Sequence, residues 1–379
     1  MARRPIIAAP FLIALLLSLV LPAPAFAVAP RLRTKVVQAG LTNPWDVAFA
    51  PAGQMFVTER PGRVKVFQSG GANTPLLANT NLYGVHAAGE AGAMGIAVDP
   101  FFNSNRWVYV CVSRDYGGKW LNQVIRYYVT PDWRLQHVKN VIQGGMKANT
   151  IHNGCAVEIG PDRKLWVSMG DAGDEALAQD PSSLNGKILR LNRGGGVPSD
   201  NPIMPGASKR TIVYSVGHRN PQGIAFHPVK GRVYAIEHGP DRSDEINWIR
   251  PGRNYGWPCV TGNNAPYHNG YAACATNAPF TPPVWHSGSS TIATSAGAFV
   301  SGSKWQGWSR NLFVAQLKEQ DLRRFRVSSD GLTATQKAVY FNNKWGRLRA
   351  VARGPGQRIW ITTSNGSNDK VIRIAPVPR

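Results

Sequence analysis

Residues 154–171 read GCAVEIGPDRKLWVSMGD. Two short apolar runs, 155–159 and 165–169, flank the turn sequence Gly160-Pro161-Asp162. Runs this short, rich in β-branched and aromatic residues and broken by Gly and Pro, read as two strands joined by a tight turn. The phrase recurs. WDVAFAPAGQMFVTER begins at Trp45, MGIAVDPFFNSNRWVYVCVSRD at Met94, QGIAFHPVKGRVYAIEHGP at Gln222, AGAFVSGSKWQGWSRNLFVAQL at Ala296 and RAVARGPGQRIWITTSNG at Arg349. The six copies start 49, 60, 68, 74 and 53 residues apart. A spaced strand-turn-strand repeat predicts an all-β radial array, a six-bladed β-propeller. A β-sandwich with irregular insertions would not repeat one unit six times. The uneven spacing predicts rim insertions at 115–150, 172–215 and 259–295. TKVVQAG (34–40) and KVIRIAP (370–376) are both strand-like, and sharing one blade would close the ring. Helical windows are scarce; DEALAQD (174–180) suits one or two turns.

The chain opens with Arg3-Arg4, a short apolar run broken by prolines, and Ala25-Phe26-Ala27, a small-x-small cleavage pattern. Residues 1–27 read as a secretory signal, leaving 28–379 as one propeller domain in the periplasm or secreted. Nothing else in the sequence is long and apolar enough to span a membrane. Net charge is +22, but the cations are scattered singly rather than in a nucleic-acid stripe, so small anionic ligands or envelope polymers fit better than nucleic acid. Four cysteines suit an oxidising compartment. Cys259 and Cys274 bracket an irregular loop, where a bridge would contribute on the order of 3 kcal/mol. Cys111 and Cys155 sit in strand patterns and can pair or stay buried thiols; the balance tips to thiols.

In a propeller, loops from every blade converge on the axis, so functional residues should recur at equivalent blade positions. Glu90, His152 with Asn153, and Arg219 with Asn220 precede first strands; Arg347 and Arg349 open the last blade. Asp171, His238-Gly239-Pro240 and Lys318 follow second strands. If 154–171 is a hairpin, its ends bring His152 and Asp171 to one rim. A carboxylate on one imidazole nitrogen fixes the tautomer and makes the other a base. A histidine in a turn can also simply satisfy that turn. Lys318, Arg347 and Arg349 together suit a polycarboxylate ligand. In EHGPDRSDEINWIRPGRNYGWP (237–258), Asp241, Asp244 and Glu245 with the carbonyls of Gly239 and Pro240 are oxygen ligands of the kind calcium takes, although the spacing is not an EF-hand.

With these positions in view, the chain resembles the soluble pyrroloquinoline-quinone-dependent glucose and aldose sugar dehydrogenases, the glucose/sorbosone dehydrogenase family. The likeness rests on PWDVAFAP, VTERPGRV, HNG, GPDRKLWVSMGD, LNGKILRLNRGG, GHRNPQGIAFHP, EHGPDRSDEINWI and GRNYGWP, and spans nearly all of 28–379. The resemblance implies a six-bladed propeller that oxidises the anomeric carbon of aldoses to lactones. His152 would be the base, Asp171 its orienting carboxylate, and Arg219 the cation against the reactive quinone carbonyl, with Asn220 beside it. Lys318, Arg347 and Arg349 would hold the cofactor's carboxylates, with Glu90 at its rim. The carbonyls of Gly239 and Pro240 would hold a calcium bridging to the quinone; Asp244, Glu245 and the Tyr255 carbonyl would match a second calcium. Two positions depart from the family: Ala350 and Thr363 stand where carboxylates are usual. The resemblance implies a small-molecule aldose partner, leaves the electron acceptor open and allows a homodimer. Two other readings compete: a calcium-dependent propeller lactonase and a non-enzymatic carbohydrate-binding propeller. Within HRNPQGIAFHP (218–228), Arg219 and Asn220 are expected at the site, His218 in a turn and His227 at the far turn of the hairpin.

Overall fold

Each quoted phrase forms the two innermost strands of a four-stranded antiparallel sheet. The computed structural model describes residues 29–68 and 73–378, so the expected export signal 1–27 lies outside the described residues. The inner strands are Pro44–Phe49, Ala93–Val98, Gly154–Ile159, Pro221–Phe226, Thr294–Phe299 and Leu348–Gly354. Each contacts the inner strand of the next blade, and the sixth returns to the first. The ring closes as expected: Arg31–Leu41 is the outermost strand of the last blade, antiparallel to Asp369–Val377. Joining the two ends of the described chain in one sheet fixes the first and last blades together.

The stretches 115–150 and 172–215 are only partly insertions: the second keeps long connections at 172–186 and 192–212. They hold the outer two strands of the second blade, Trp120–Val129 and Leu135–Ile142, and of the third, Lys187–Leu191 and Val213–Val216. Leu135–Ile142 is exposed through its middle, so its polar residues hide the apolar signature of a strand. The stretch 259–295 is a true excursion: it carries a disulfide loop with a small strand pair, Val260–Thr261 and Ala265–Pro266, and a short helix, Ala272–Thr276, and the blade's outer strand there is two residues, Trp285–His286. The segment 174–180 makes one turn of 3₁₀ helix, Glu175–Ala178.

A single blade cannot bury its own faces, and the core lies between blades. Met94, Tyr109 and Cys111 of the second blade interleave with Cys155, Val157 and Val167 of the third, all buried. Each such side chain contributes about 1.5–3 kcal/mol. Near the axis, strands meet backbone to backbone. A Cβ on Gly95 would lie 2.5 Å from the Val157 nitrogen, so a side chain there would push two blades apart. Both cysteine pairs are bridged, Cys111–Cys155 and Cys259–Cys274. The first corrects the expectation of buried thiols. The two cysteines lie on neighbouring blades, and a one-chain reading of strand pattern cannot see that they face each other.

All six inner strands run in the same direction along the axis. Their first residues gather the candidate site residues at one face. Their ends open a cavity of about 440 Å³ at the other, lined by Phe49, Val98, Ile159, Phe226, Phe299 and Gly354, none of them a candidate.

Candidate active site

The third blade's hairpin returns its two ends to one place. His152 Nδ1 lies 2.7 Å from Asp171 Oδ1. Asp171 is fixed in turn: Oδ1 accepts from the Gly173 amide at 2.8 Å, and Oδ2 accepts from the Trp257 indole at 2.9 Å. Its backbone N–H donates to the Arg219 carbonyl at 2.8 Å. His152 sits at positive φ, 54°, and its carbonyl accepts from the Ala172 amide. Gly170 permits this close return, since a Cβ there would lie 2.1 Å from the His152 oxygen. With Nδ1 committed to Asp171, Nε2 is the nitrogen left to take a proton. The His152 side chain is 16 % exposed, open enough for a substrate to reach it.

Glu90 joins three blade entrances. Its Oε2 accepts from the His152 amide at 2.9 Å and, more weakly, from Asn220 Nδ2 at 3.5 Å. Asn220 Oδ1 accepts from the Gly154 amide. Asn220 is therefore a brace between the third and fourth blades. Arg219 donates from Nη1 to the carbonyls of His238 and Gly239, and its guanidinium lies 5.3 Å from the Trp257 ring. Burial lowers its pKa, opposed by Asp171, Glu237 and Glu90. Its Nε is buried without a partner.

His218 is not the turn residue expected. It is fully buried, with Ser215 Oγ 2.9 Å from Nε2, Glu237 Oε2 2.8 Å from Nδ1, and Tyr255 stacked 4.8 Å away. Glu237 also accepts from the Arg219 amide, so His218 holds the carboxylate that holds Arg219 in place. His227 is at the far turn, as expected, packed edge-on to Phe299.

The opposite side of the site is cationic. Arg349 is buried over the Trp45 ring at 3.9 Å, with Nη1 on Gln222 and Nε on Ser364. Burial pushes it down to about 9. Arg347 is exposed and acts on its charge; Lys318, also exposed, donates to the Thr291 carbonyl on blade five. Arg60, missed in the sequence, joins them: Glu90, Arg347 and Asp369 all act on its charge. It lies in VTERPGRV, after a second strand, where Asp171 and Lys318 lie in their own blades. Among the described residues, none of Arg60, Arg219, Lys318, Arg347 and Arg349 forms an ion pair. A buried guanidinium without a carboxylate fits a polyanionic ligand. At the departures, Ala350 is buried with its amide on Thr362 Oγ1. Thr363 donates to Asp369 Oδ1 at 2.6 Å, so Asp369 supplies a carboxylate beside the position of the lost acid.

The calcium positions divide. Asp244 accepts from the amides of Gly239, Ile292 and Ala293 and from the Thr291 hydroxyl, so its lone pairs are spent on clamping two loops. The Gly239 carbonyl faces donors from Arg219 and His238. Glu245 fits a cation better: burial, then the neighbouring Glu237, push its carboxyl up to about 8, and a cation there would relieve both. Among the described residues no three His, Cys, Asp or Glu side chains converge as a metal cluster.

A six-bladed propeller with an aspartate-held histidine facing a cationic wall defines a class, and the sequence profile of that class matches residues 41–373: the chain belongs to the Glucose / Sorbosone dehydrogenase family. It is 28 % identical over 362 residues to the aldose sugar dehydrogenase YliI of Escherichia coli, covering 93 % of this chain and 95 % of that one. It is 30 % identical over 316 residues to quinoprotein glucose dehydrogenase B of Acinetobacter calcoaceticus, covering 75 % of this chain and 63 % of the relative. Among solved structures, the apo-form soluble aldose sugar dehydrogenase of E. coli superposes with a TM-score of 0.81 at 28 % identity, covering 91 % of this chain and all of that one. The PQQ-bound aldose sugar dehydrogenase of Streptomyces coelicolor gives 0.74 at 30 % identity, covering 92 % and 99 %.

Proposed function

We propose that this protein oxidises aldoses at the anomeric carbon to lactones, using pyrroloquinoline quinone. The observation that carries the reading is the juxtaposition of the His152–Asp171 pair with a set of cations that have no carboxylate partner. Lys318, Arg347, Arg349 and Arg60 would hold the quinone's carboxylates; when bound, the quinone supplies the hydride acceptor. His152 Nε2 takes the proton of the anomeric hydroxyl. Asp171 keeps that imidazole in the right tautomer and stabilises the imidazolium that results. Arg219, held by Glu237, offers fixed positive charge where negative charge develops. Glu90 and Asn220 keep these groups in register across three blades. Glu245 with the Tyr255 carbonyl would hold calcium, and Gly239 and Pro240 would offer carbonyls to a second ion. The name and bound cofactor of the relatives support the same reading. We also place the chain in the periplasm or outside the cell, on the export pattern at 1–27 and on two disulfides.

The test is turnover of an aldose panel by purified protein supplied with quinone, calcium and an artificial electron acceptor, with the lactone identified as product. Lactone hydrolysis without quinone would favour the lactonase instead. Sugar binding without any redox turnover would favour a binding propeller.

A further inference from the structure

Beside the His152–Asp171 pair stands a surface that the proposed chemistry does not use. Trp257 binds Asp171 through its indole N–H, and Tyr267 lies against Trp257 with ring centres 5.2 Å apart. Beyond Tyr267 follow His268 and Tyr271. His268 Nδ1 lies 2.8 Å from Glu175 Oε1, and the Tyr271 hydroxyl donates to the same oxygen at 2.9 Å. We propose that Trp257, Tyr267, His268, Tyr271 and Glu175 form the sugar-recognition wall of this protein; the inference rests on reading the site as an aldose dehydrogenase.

Three features point this way. The wall is built rigid. The Trp257 N–H donates to Gly217, and its carbonyl accepts from Gln179 at 2.6 Å. The Tyr267 and His268 amides donate to the carbonyls of Cys259 and Pro258, and the Cys259–Cys274 bridge closes the loop. The polar cluster is exposed, yet its members are held to one another. The His268 side chain is 54 % exposed and Tyr271 is 40 % exposed. Ordering such side chains costs entropy with little burial in return, and a ligand that uses their geometry gives that order a purpose. Finally, the chemistry matches. An aldopyranose has an apolar C–H face and a rim of hydroxyls. The part-exposed Tyr267 ring, held by Trp257, His268 and the Arg242 guanidinium, would meet the first; a carboxylate, an imidazole and a phenol exchange hydrogen bonds with the second.

Placement separates the two ligands. The unpaired cations come from blades five, six and one, the side suited to an anionic cofactor. The wall comes from blades three and four and continues directly from the group that orients the base. An uncharged sugar has no charge to pair with the cations, which suit an anion better, and would rest on the aromatic side, with its anomeric hydroxyl toward His152.

The experiment combines steady-state kinetics with calorimetric titration of D-glucose and maltose into wild type, Tyr267→Ala, Tyr267→Phe and Glu175→Gln, with and without the quinone. Tyr267→Ala should raise KM and the sugar Kd about tenfold while kcat stays within about twofold and the quinone titration is unchanged. Tyr267→Phe, which keeps the ring, should stay within about twofold of wild type, and Glu175→Gln should raise KM severalfold. An unchanged KM in Tyr267→Ala would overturn the wall. So would a fall in kcat together with weakened quinone binding, which marks a structural role. The two proposals fail separately: a wild type that binds sugar through Tyr267 but takes no quinone defeats only the dehydrogenase reading, and turnover indifferent to Tyr267 defeats only the wall.

Discussion

His152 and Asp171 were legible in the sequence because a hairpin of known length must return its ends to one rim, and 19 residues separate them. Substituting His152 by Ala should lower kcat by roughly 10²–10⁴-fold with quinone binding retained. Arg60, Trp257 and His218 were not legible. Arg60 lies in a phrase that looks like an ordinary strand end. Trp257 reaches Asp171 from 86 residues away. His218 looked like one more polar residue in a turn, until the fold buried it between Ser215 and Glu237. Arg60→Gln should weaken the quinone about tenfold, roughly 1.4 kcal/mol, in an absorbance titration. A further pair shows itself only in the fold: Asp46 and Glu158, brought together at the axis. Burial pushes Asp46 up to about 6 from 3.8, and raises Glu158 well above its usual value, with Asp46 adding to the rise. A raised carboxyl stabilises the fold fully below its unfolded pKa and loses that contribution as pH rises through the folded one. Wild type should therefore lose on the order of 2–3 kcal/mol between pH 4 and 7 through Asp46. Denaturant unfolding at the two pH values should show Asp46→Asn without that loss.

Among the elements, the inner hairpins and the two strands that close the ring were readable, and most other outer strands were not. Inner strands are buried on both faces and spell continuous apolar runs; Leu165–Met169 is buried throughout. Outer strands such as Ala334–Tyr340 are largely exposed, so their composition resembles a loop. The same one-dimensional view left Cys111 and Cys155 unpaired, though they cross-link adjacent blades 44 residues apart. Closing a loop of that length should stabilise the fold by about 4 kcal/mol. Replacing both cysteines by Ser should lower Tm by several degrees in a thermal melt. The second bridge, Cys259–Cys274, closes a loop at the rim that packs through Tyr267 against Trp257. Its loss should act less on the melt and more on KM for sugars.

Across the whole molecule, the propeller turns six similar hairpins into one asymmetric site. The ring carries every inner strand's start and every second strand's end to the same face, and the polar residues there set the charge of each sector. Blade three carries the His152–Asp171 pair, blade four Arg219, and blades five, six and one the cations without an ion-pair partner among the described residues. The family was readable in the sequence because its phrases, GPDRKLWVSMGD and GHRNPQGIAFHP among them, run through the repeats; the proposed wall was not, because Tyr267, His268 and Tyr271 lie in the stretch that departs from the repeat. We propose that the cationic sector binds a quinone which a sugar then reduces through His152. The most direct test is to titrate the purified chain with pyrroloquinoline quinone in the presence of calcium, follow absorbance, and then add aldose. A saturable one-to-one change, followed by reduction of the bound quinone in wild type and not in His152→Ala, is the predicted result. Absence of saturable binding, or sugar-driven reduction undiminished in His152→Ala, would contradict it.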